Sequence, residues 1–328
     1  MLEHVIYSGQ ADQESFRDTY SRVITDLLEH DPRTVVGDAD VGYPIYGEHR
    51  FELKEKYGDR IFECGIQEGN LVGMAAGLSL LGKTPYLATY APFITRRVLD
   101  TVFISLAYAK LNARLFGLDP GFTSAFNGGT HSAIEDAAVM RTIPNITIFD
   151  CVDSAMLEAT LYHIKDIHGL FYFRMPRGKG MTVKTVYEKT YPFQIGKANL
   201  LREGSDVTII AAGLMVAEAM EAARILETEH ISARVVDIYT LKPVDEEMIL
   251  SCARETGAIV CCENHKLYGG LCTAVAETLM YRHAPCPMEI VAIADRFGEV
   301  GETEELRRQY GLTVDCIVDK VRNVLKLK

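Results

Sequence analysis

The sequence contains no apolar run that approaches the roughly 18 residues needed to span a bilayer, and its longest apolar runs have the length of strands. Its first residues lack the basic and apolar regions of a signal peptide. None of its eight cysteines belongs to a Cys-x-x-Cys pair. Most of them lie in apolar runs, as buried thiols of a reducing compartment do, so we expect a cytoplasmic protein without a membrane segment.

Positive charge is also scarce, since 34 Lys and Arg residues stand against 45 Asp and Glu residues and give a net charge of −11. No basic stripe with interleaved aromatic residues is present, which argues against nucleic acid as a partner. No His, Cys and Asp residues have the spacing of metal ligands, and no glycine-rich phosphate loop follows a strand. We therefore expect this chain alone to hold neither a metal ion nor a diphosphate.

The 328 residues, 48% hydrophobic and 24% charged, provide enough apolar material for two cores. Strand-like segments alternate with helical segments of ten or more residues, which is the pattern of βαβ units. The predicted fold class is α/β, with two tandem domains whose mainly parallel sheets are flanked by helices. A stretch with few apolar repeats and several Pro and Gly residues predicts domains at 1–180 and 196–328, joined by a linker at 181–195.

Predicted strands lie at 34–38, 60–65, 85–90, 113–117, 145–150, 170–175, 206–212, 234–239, 258–262 and 289–294. Predicted helices lie at 12–30, after Glu68, from Phe93 to about Lys110, and at 132–141, 153–166, 215–229, 245–254, 269–282, 302–310 and 313–326. Parallel sheets bind ligands at the carboxyl ends of their strands. The polar loops at such ends all belong to the first domain, so we expect the functional site there. These loops are 38–46, 65–68, 89–93, 119–131 and 174–179.

The second predicted strand leads into a helix that begins near a single carboxylate, Glu68. Gly69, Gly73 and Gly77 leave one face of this helix bare, so another backbone or a flat ligand can approach closely. No Lys or Arg follows in the sequence before Lys83, and a sheltered carboxylate of this kind can hold a proton near neutral pH. The alternative is an ordinary acidic residue in the first turn of a helix.

A second candidate is His131, which follows two glycines in the loop Asn127-Gly-Gly-Thr-His131. If Thr130 caps the helix predicted at 132–141, His131 lies at a helix N-terminus, which lowers its pKa and favours the neutral imidazole. A histidine that merely fills space remains the alternative.

Two further pairs flank predicted strand ends. Tyr90 and Phe93 form either core packing or a slot for a planar ring. Arg174 and Arg177 bracket Met-Pro and form either salt bridges or a site for a phosphate, sulfonate or carboxylate.

Together these motifs resemble the C-terminal half of the transketolase family, and most closely the shorter subunit of split bacterial transketolases, over nearly the whole chain. The resemblance is carried by Gly65–Asn70, Tyr90–Asp100, Asn127–His131 with Glu135-Asp136, Met140–Asn145, Met175–Lys179, Ala211–Val216, Glu263–Gly270 and Asp295–Glu299. It implies a thiamine-diphosphate-dependent transferase of carbohydrate metabolism, which moves a two-carbon ketol unit from a ketose to an aldose. By position, Glu68 would hold the N1′ nitrogen of the cofactor. Phe93 would stack on its pyrimidine ring beside Tyr90, and Asp40 would lie near its thiazolium ring.

On the substrate side, the resemblance places His131 near the donor's C1 hydroxyl and Arg177 at its distal phosphate. The sequence departs from the family at three positions. Asn127 stands where an aspartate often reads a substrate hydroxyl, Asp119 replaces a usual histidine near the phosphate, and Pro44 replaces a usual serine. An aspartate there would repel a phosphate. We therefore expect substrates that differ from ordinary pentose phosphates, with a sulfo-sugar, an apulose phosphate or another ketose phosphate as candidates.

The family's diphosphate-binding half, with its Gly-Asp-Gly motif and Mg²⁺ ligands, has no counterpart in the sequence, which offers only Gly37-Asp38-Ala39 and Gly58-Asp59-Arg60. We therefore expect an N-terminal partner subunit that supplies the Mg²⁺ site, and a heterotetramer with two of each chain.

Three alternatives remain open: a β subunit of a 2-oxoacid dehydrogenase, a 1-deoxyxylulose-5-phosphate-synthase-like enzyme, and a non-catalytic assembly subunit. The role of His265, as a site residue or a helix-entry residue, is also open.

Overall fold

The computed structural model describes residues 4–177 and 183–328. Its strands are β1 Thr34–Asp38, β2 Ile61–Glu63, β3 Thr84–Tyr90, β4 Ala113–Leu118, β5 Ile146–Asp150, β6 Leu170–Met175, β7 Asn199–Arg202, β8 Val207–Ala211, β9 Ala233–Asp237, β10 Thr240–Lys242, β11 Ile259–Lys266 and β12 Met288–Ile293. Its α-helices are α1 Phe16–His30, α2 Gly42–Tyr46, α3 His49–Tyr57, α4 Glu68–Leu80, α5 Ala91–Ile94, α6 Leu99–Thr101, α7 Asp136–Arg141, α8 Ser154–Ile164, α9 Met215–Thr228, α10 Glu246–Thr256, α11 Leu271–Tyr281, α12 Thr303–Gln309 and α13 Val314–Leu325.

These strands form two sheets, with the orders β10-β5-β6-β4-β3-β1-β2 and β12-β11-β8-β9-β7. Every pairing is parallel except those of β10 with β5 and of β7 with β9. Helices pack against both sheets, so the predicted α/β class with two mainly parallel sheets is confirmed. Each central strand of the first sheet is buried almost throughout, which explains why these strands read as continuous apolar runs.

The register of the first sheet brings the predicted site loops to one edge. Tyr90 lies opposite Leu118, and Leu118 lies opposite Met175. Asp38 is likewise the last residue of β1 and lies opposite Ala88. Since these strands are parallel, the loops that follow them emerge side by side, as expected for a ligand site in an α/β sheet.

One predicted helix is wrong as a single element. The segment from Phe93 to about Lys110 forms α5, α6 and a π-helical segment, Val102–Tyr108. The break follows Ile94, where Thr95 leaves helical geometry and its hydroxyl donates to the Ala91 carbonyl oxygen at 2.6 Å. A threonine that bonds its own backbone in this way competes with helical hydrogen bonding.

The helices α2 and α3 and the strands β7 and β10 were not predicted. β10 lies within the predicted C-terminal domain but pairs with β5 of the first sheet, with Thr240 opposite Phe149. In addition, the N-terminal segment pairs with the linker, at Val5 with Tyr187. The first sheet therefore contains a strand that follows the predicted linker in the sequence. The linker at 181–195 stays a prediction, and its residues 181 and 182 lie outside the described residues.

The side chain of Arg174 is 2% exposed and is held by internal partners. Its guanidinium donates to the carboxylates of Asp136 and Asp150 and, at 2.8 Å, to the backbone oxygen of Asn264. These partners belong to α7, β5 and β11, so Arg174 joins the first sheet to the second. These contacts favour the salt-bridge alternative for Arg174.

No helix among the described residues is long and apolar enough to cross a membrane. All eight cysteines are free.

Replacing Arg174 with methionine should lower the free energy of unfolding by about 3–5 kcal/mol, because two buried carboxylates lose their cation. Urea denaturation of the purified chain measures this change. Arg33 is a matched control, since it also donates to two aspartates, Asp31 and Asp166, but is half-exposed; Arg33→Met should cost less than about 1 kcal/mol. Equal losses for the two variants would contradict the structural role of Arg174.

Candidate active site

The carboxylate of Glu68 lies at the first residue of α4, at the carboxyl edge of the first sheet, and is 3% exposed. Gln67 precedes it as the helix N-cap without a side-chain capping bond. The bare face of α4 is also present, because a Cβ placed on Gly69, Gly73 or Gly77 would meet no atom within 4 Å. The structure therefore combines a sheltered carboxylate with a helix face open to close approach.

A cation does lie beside Glu68, contrary to the sequence-based expectation. Nη1 of Arg97 donates to both carboxylate oxygens of Glu68, at 3.0 Å each. Arg97 is 29 positions further along the chain, so the neighbourhood in sequence gave no sign of it. Its side chain is 47% exposed, and its guanidinium carbon lies 4.0 Å from the centre of the Phe93 ring.

Three rings form an aromatic cluster around this point, which we define as Tyr90, Phe93 and His131. The centre of the His131 ring lies 5.0 Å from the centre of the Phe93 ring and 5.1 Å from that of the Tyr90 ring, in edge-to-face arrangements. Tyr90 ends β3, Phe93 belongs to the short helix α5, and His131 lies in the loop after β4. The structure thus brings His131 together with the pair Tyr90 and Phe93, which the sequence leaves separate.

The pKa of His131 is lowered, first by partial burial and then by the nearby charge of Arg97, with Asp119 opposing. The predicted direction agrees, but the predicted cause is wrong. α7 begins at Asp136 and not at 132, so His131 lies five positions before it and Thr130 does not cap it. Instead, the Thr130 hydroxyl lies 3.0 Å from Nδ1 of His131. A neutral imidazole can both donate and accept a hydrogen bond, as a proton carrier must.

Arg177 and Asp119 form a close ion pair at the same edge. Asp119 is 3% exposed and accepts from Nε of Arg177 at 2.9 Å and from its backbone N–H at 3.1 Å. The guanidinium carbon of Arg177 lies 5.0 Å from the centre of the Tyr90 ring. The two residues predicted to meet a substrate anion therefore partly neutralise each other beside the aromatic cluster.

Asp40 and Asn127 are both exposed, and no described contact joins either side chain to the aromatic cluster. Asn127 ends a 3₁₀ turn, Ala125–Asn127. Asp40 lines a cavity of about 320 Å³ with Asp38, Arg50 and Glu63. Both roles stay predictions.

Asp38, unlike the exposed Asp40, is buried, and no role was predicted for it from the sequence. It is 5% exposed, and its carboxylate accepts from the backbone N–H of Val41 at 2.9 Å. Burial raises the pKa of Asp38 from 3.8 to about 6, the bond from Val41 opposes this, and the charge of Glu63 adds to it.

The second domain contacts the loop that carries Asp119 and His131. The Asn264 side-chain oxygen accepts from the backbone N–H of Phe122 at 3.3 Å. A Cβ on Gly129 would lie 2.5 Å from the backbone oxygen of Gly298, so the loop approaches the second domain closely there. His265, in contrast, is fully buried, with Nδ1 2.7 Å from the Lys266 oxygen and Nε2 accepting from Ala138 N–H. This favours the structural alternative for His265.

The structure is that of a two-domain α/β protein whose candidate site residues gather at the carboxyl edge of the first sheet. The chain belongs to the transketolase family: the description "Transketolase, pyrimidine binding domain" matches residues 12–182, and "Transketolase, C-terminal domain" matches residues 196–317.

Similar proteins of about the same length include named parts of transketolases. The 6-deoxy-6-sulfo-D-fructose transketolase subunit SqwH of Clostridium sp. (strain MSTE9) is 41% identical over 98% of both chains. One of the subunits of an apulose-4-phosphate transketolase, from Phocaeicola vulgatus, is 36% identical over 93% of this chain and 94% of its own. A solved structure described as "Split gene transketolase, inactive beta4 tetramer" matches with a TM-score of 0.86 and 39% identity, over 96% of this chain and 99% of that one.

Replacing Asp38 with asparagine should flatten the dependence of stability on pH. Because the folded-state pKa is raised, the stability linked to this carboxyl is fully present below about pH 4 and is lost as the pH rises through about 6, by roughly 3 kcal/mol in all. Asparagine cannot ionise and escapes this loss. Urea unfolding between about pH 4.5 and 7.5 measures the difference between the two proteins, which should grow with pH in favour of Asp38→Asn. A difference that stays constant over this range would contradict the raised pKa.

Proposed function

We propose that this chain is the C-terminal subunit of a split, thiamine-diphosphate-dependent transketolase, which transfers a two-carbon ketol unit from a ketose to an aldose. The observation that carries the proposal is the buried carboxylate of Glu68 beside the aromatic cluster, in a chain matched end to end by transketolase subunits. A sheltered carboxyl group that can share a proton, next to an aromatic face, suits a ring that must both stack and receive a hydrogen bond.

The residues present fit the pyrimidine part of the cofactor. Glu68 would hold N1′ of the ring and share its proton, Phe93 would offer its face, and Tyr90 would bound the ring on one side. When bound, thiamine diphosphate supplies the carbon nucleophile and the electron sink of the reaction. His131, kept neutral by its surroundings, would hold or move a proton at the donor's C1 hydroxyl. Asp40 would lie towards the thiazolium side.

The remaining part of the cofactor site would belong to a partner. Among residues 4–177 and 183–328, no group of three or more His, Cys, Asp or Glu side chains could hold a metal ion. We propose that an N-terminal subunit supplies the Mg²⁺ ligands and the diphosphate site. The bare face of α4, with exposed Met74 and Leu80 nearby, offers an apolar surface for such a partner. A heterotetramer with two of each chain is the assembly we propose.

The donor would carry a weakly charged anionic end. Arg177 donates two of its N–H groups to Asp119, which reduces the positive charge that the pair presents to a ligand. A phosphate carries a charge between about −1.5 and −2 near pH 7, whereas a sulfonate carries a single charge. The pair therefore favours a sulfonate such as that of 6-deoxy-6-sulfo-fructose. An apulose phosphate is the second candidate.

Reconstitution with the N-terminal subunit, thiamine diphosphate and Mg²⁺ tests the proposal. The complex should transfer ketol units, and Glu68→Ala should lower its kcat by about 10²-fold or more, because proton sharing with the ring is lost. Glu52→Ala, which removes a carboxylate on the exposed side of α3, should leave kcat unchanged.

The other outcomes favour the alternatives. Turnover by this chain alone would refute a divided site, and unchanged turnover of Glu68→Ala would favour an assembly role. Consumption of pyruvate would indicate a deoxyxylulose-phosphate-synthase-like enzyme, and decarboxylation of other 2-oxoacids a dehydrogenase subunit.

The donor preference can be tested by comparing 6-deoxy-6-sulfo-fructose with xylulose 5-phosphate. The wild-type complex should prefer the sulfo-sugar by kcat/KM. Asp119→Asn should shift the ratio towards the phosphate by about fivefold, because it restores positive charge at Arg177. Asparagine is a conformational match, since Asp119 has a φ of 53°, which asparagine also adopts.

Arg177→Met is the companion variant and should weaken the binding of both donor sugars. A clear preference of the wild-type complex for xylulose 5-phosphate, or an unchanged ratio in Asp119→Asn, would refute the substrate proposal.

A further inference from the structure

Arg97 lies between Glu68 and Phe93, the two residues proposed above to hold the cofactor ring. Its guanidinium is planar, lies 4.0 Å from the centre of the Phe93 ring, and donates to both oxygens of Glu68 at 3.0 Å. Stacking on an aromatic face and a hydrogen bond to this carboxylate are the two contacts that the pyrimidine ring would need. A guanidinium makes both of them well because it is flat and carries N–H groups at its edge.

The exposures of the two partners are unequal. Glu68 is 3% exposed and has little room to move, whereas the Arg97 side chain is 47% exposed. Arg97 can therefore withdraw into solvent while Glu68 stays in place. The neighbouring Arg96 makes a different set of contacts, with the carboxylate of Glu135 and the backbone oxygen of Thr130. Two adjacent arginines thus serve two separate carboxylates.

A lone ionised carboxylate buried in this position would be costly. In the chain without its cofactor, Arg97 supplies the missing counter-charge. In the loaded site the carboxylate would share its proton with the ring, so the arginine would be unnecessary there and would clash with the stacked ring.

We propose that Arg97 is a placeholder for the pyrimidine ring: it neutralises Glu68 and covers Phe93 until the cofactor displaces it. This inference rests on the proposed function. It makes Arg97 a residue that opposes cofactor binding and stabilises the empty subunit. It predicts that the cofactor must compete with an internal ion pair before it is held.

The pair can first be tested in the isolated chain, independently of the cofactor. A double-mutant cycle of Glu68→Gln and Arg97→Met, followed by urea unfolding, should show a coupling of about fivefold or more in the unfolding equilibrium constant. The same cycle with Glu68→Gln and Arg96→Met is the matched control and should show no coupling. Absence of coupling between Glu68 and Arg97 would overturn the inference, whatever the function of the complex.

The second test measures binding of thiamine diphosphate by titration calorimetry to the complex reconstituted with the N-terminal subunit and Mg²⁺. Arg97→Met should tighten binding by about tenfold, because the ring no longer displaces a charged hydrogen bond. Arg96→Met, which removes the same charge one residue away, should change the dissociation constant by less than about twofold.

Unchanged or weaker binding by Arg97→Met, with normal binding by the wild-type complex, would overturn this inference alone and make Arg97 a support of the cofactor. If none of the complexes binds thiamine diphosphate, the proposed function falls and this inference falls with it.

Discussion

The site is built on one buried carboxylate held between a sheet edge and a glycine-rich helix. Glu68 is 3% exposed because α4 starts directly at the carboxyl edge of the first sheet and buries Leu71, Val72, Ala75 and Ala76 on its inner face. Burial makes its ionised form expensive unless a cation or a shared proton compensates. In this structure the cation is the partly exposed Arg97, which also lies over the Phe93 ring of the aromatic cluster.

The second domain contributes to this site at a distance. Asn264 makes two hydrogen bonds to the first domain. Its backbone oxygen accepts from Arg174, and its side-chain oxygen accepts from the backbone N–H of Phe122. The first contact ties the two sheets together, and the second fixes the loop between Asp119 and His131. A loop of this length without regular structure would otherwise sample many conformations. The second domain therefore holds the loop that carries Asp119 and His131 in place.

Much of the fold could be read from the sequence because its strands are buried on both faces. Buried parallel strands such as β4 and β6 are continuous apolar runs, and their predicted bounds lie within one residue of the observed ones. α3 escaped prediction because its exposed face is strongly polar and only Leu53 and Tyr57 are buried. β10 escaped because a three-residue strand carries almost no periodic signal.

The sequence predicted individual candidate residues of the site but not the contacts between them. Glu68, Phe93 and His131 stand out through their local context, namely a glycine stripe, a proline turn and a glycine pair. The ion pairs of Arg97 with Glu68 and of Arg174 with Asp136 and Asp150 join residues 24–38 positions apart. Such pairs are created by tertiary packing, so neither a spacing rule nor a local charge count reveals them. This is why the sequence left the role of Arg174 open and gave no sign of the contact made by Arg97.

Three arginines at the edge of the site are already paired with carboxylates. The arginines at its edge each face a carboxylate: Arg96 faces Glu135, Arg97 faces Glu68 and Arg177 faces Asp119. Positive charge is therefore close at hand but already engaged, and an anion gains from it only by competing with a carboxylate. Competition of this kind weakens the binding of ligands that depend mainly on attraction to positive charge, and it affects less those that bind through shape and hydrogen bonds. A site so balanced would favour a singly charged anionic end over a more highly charged one.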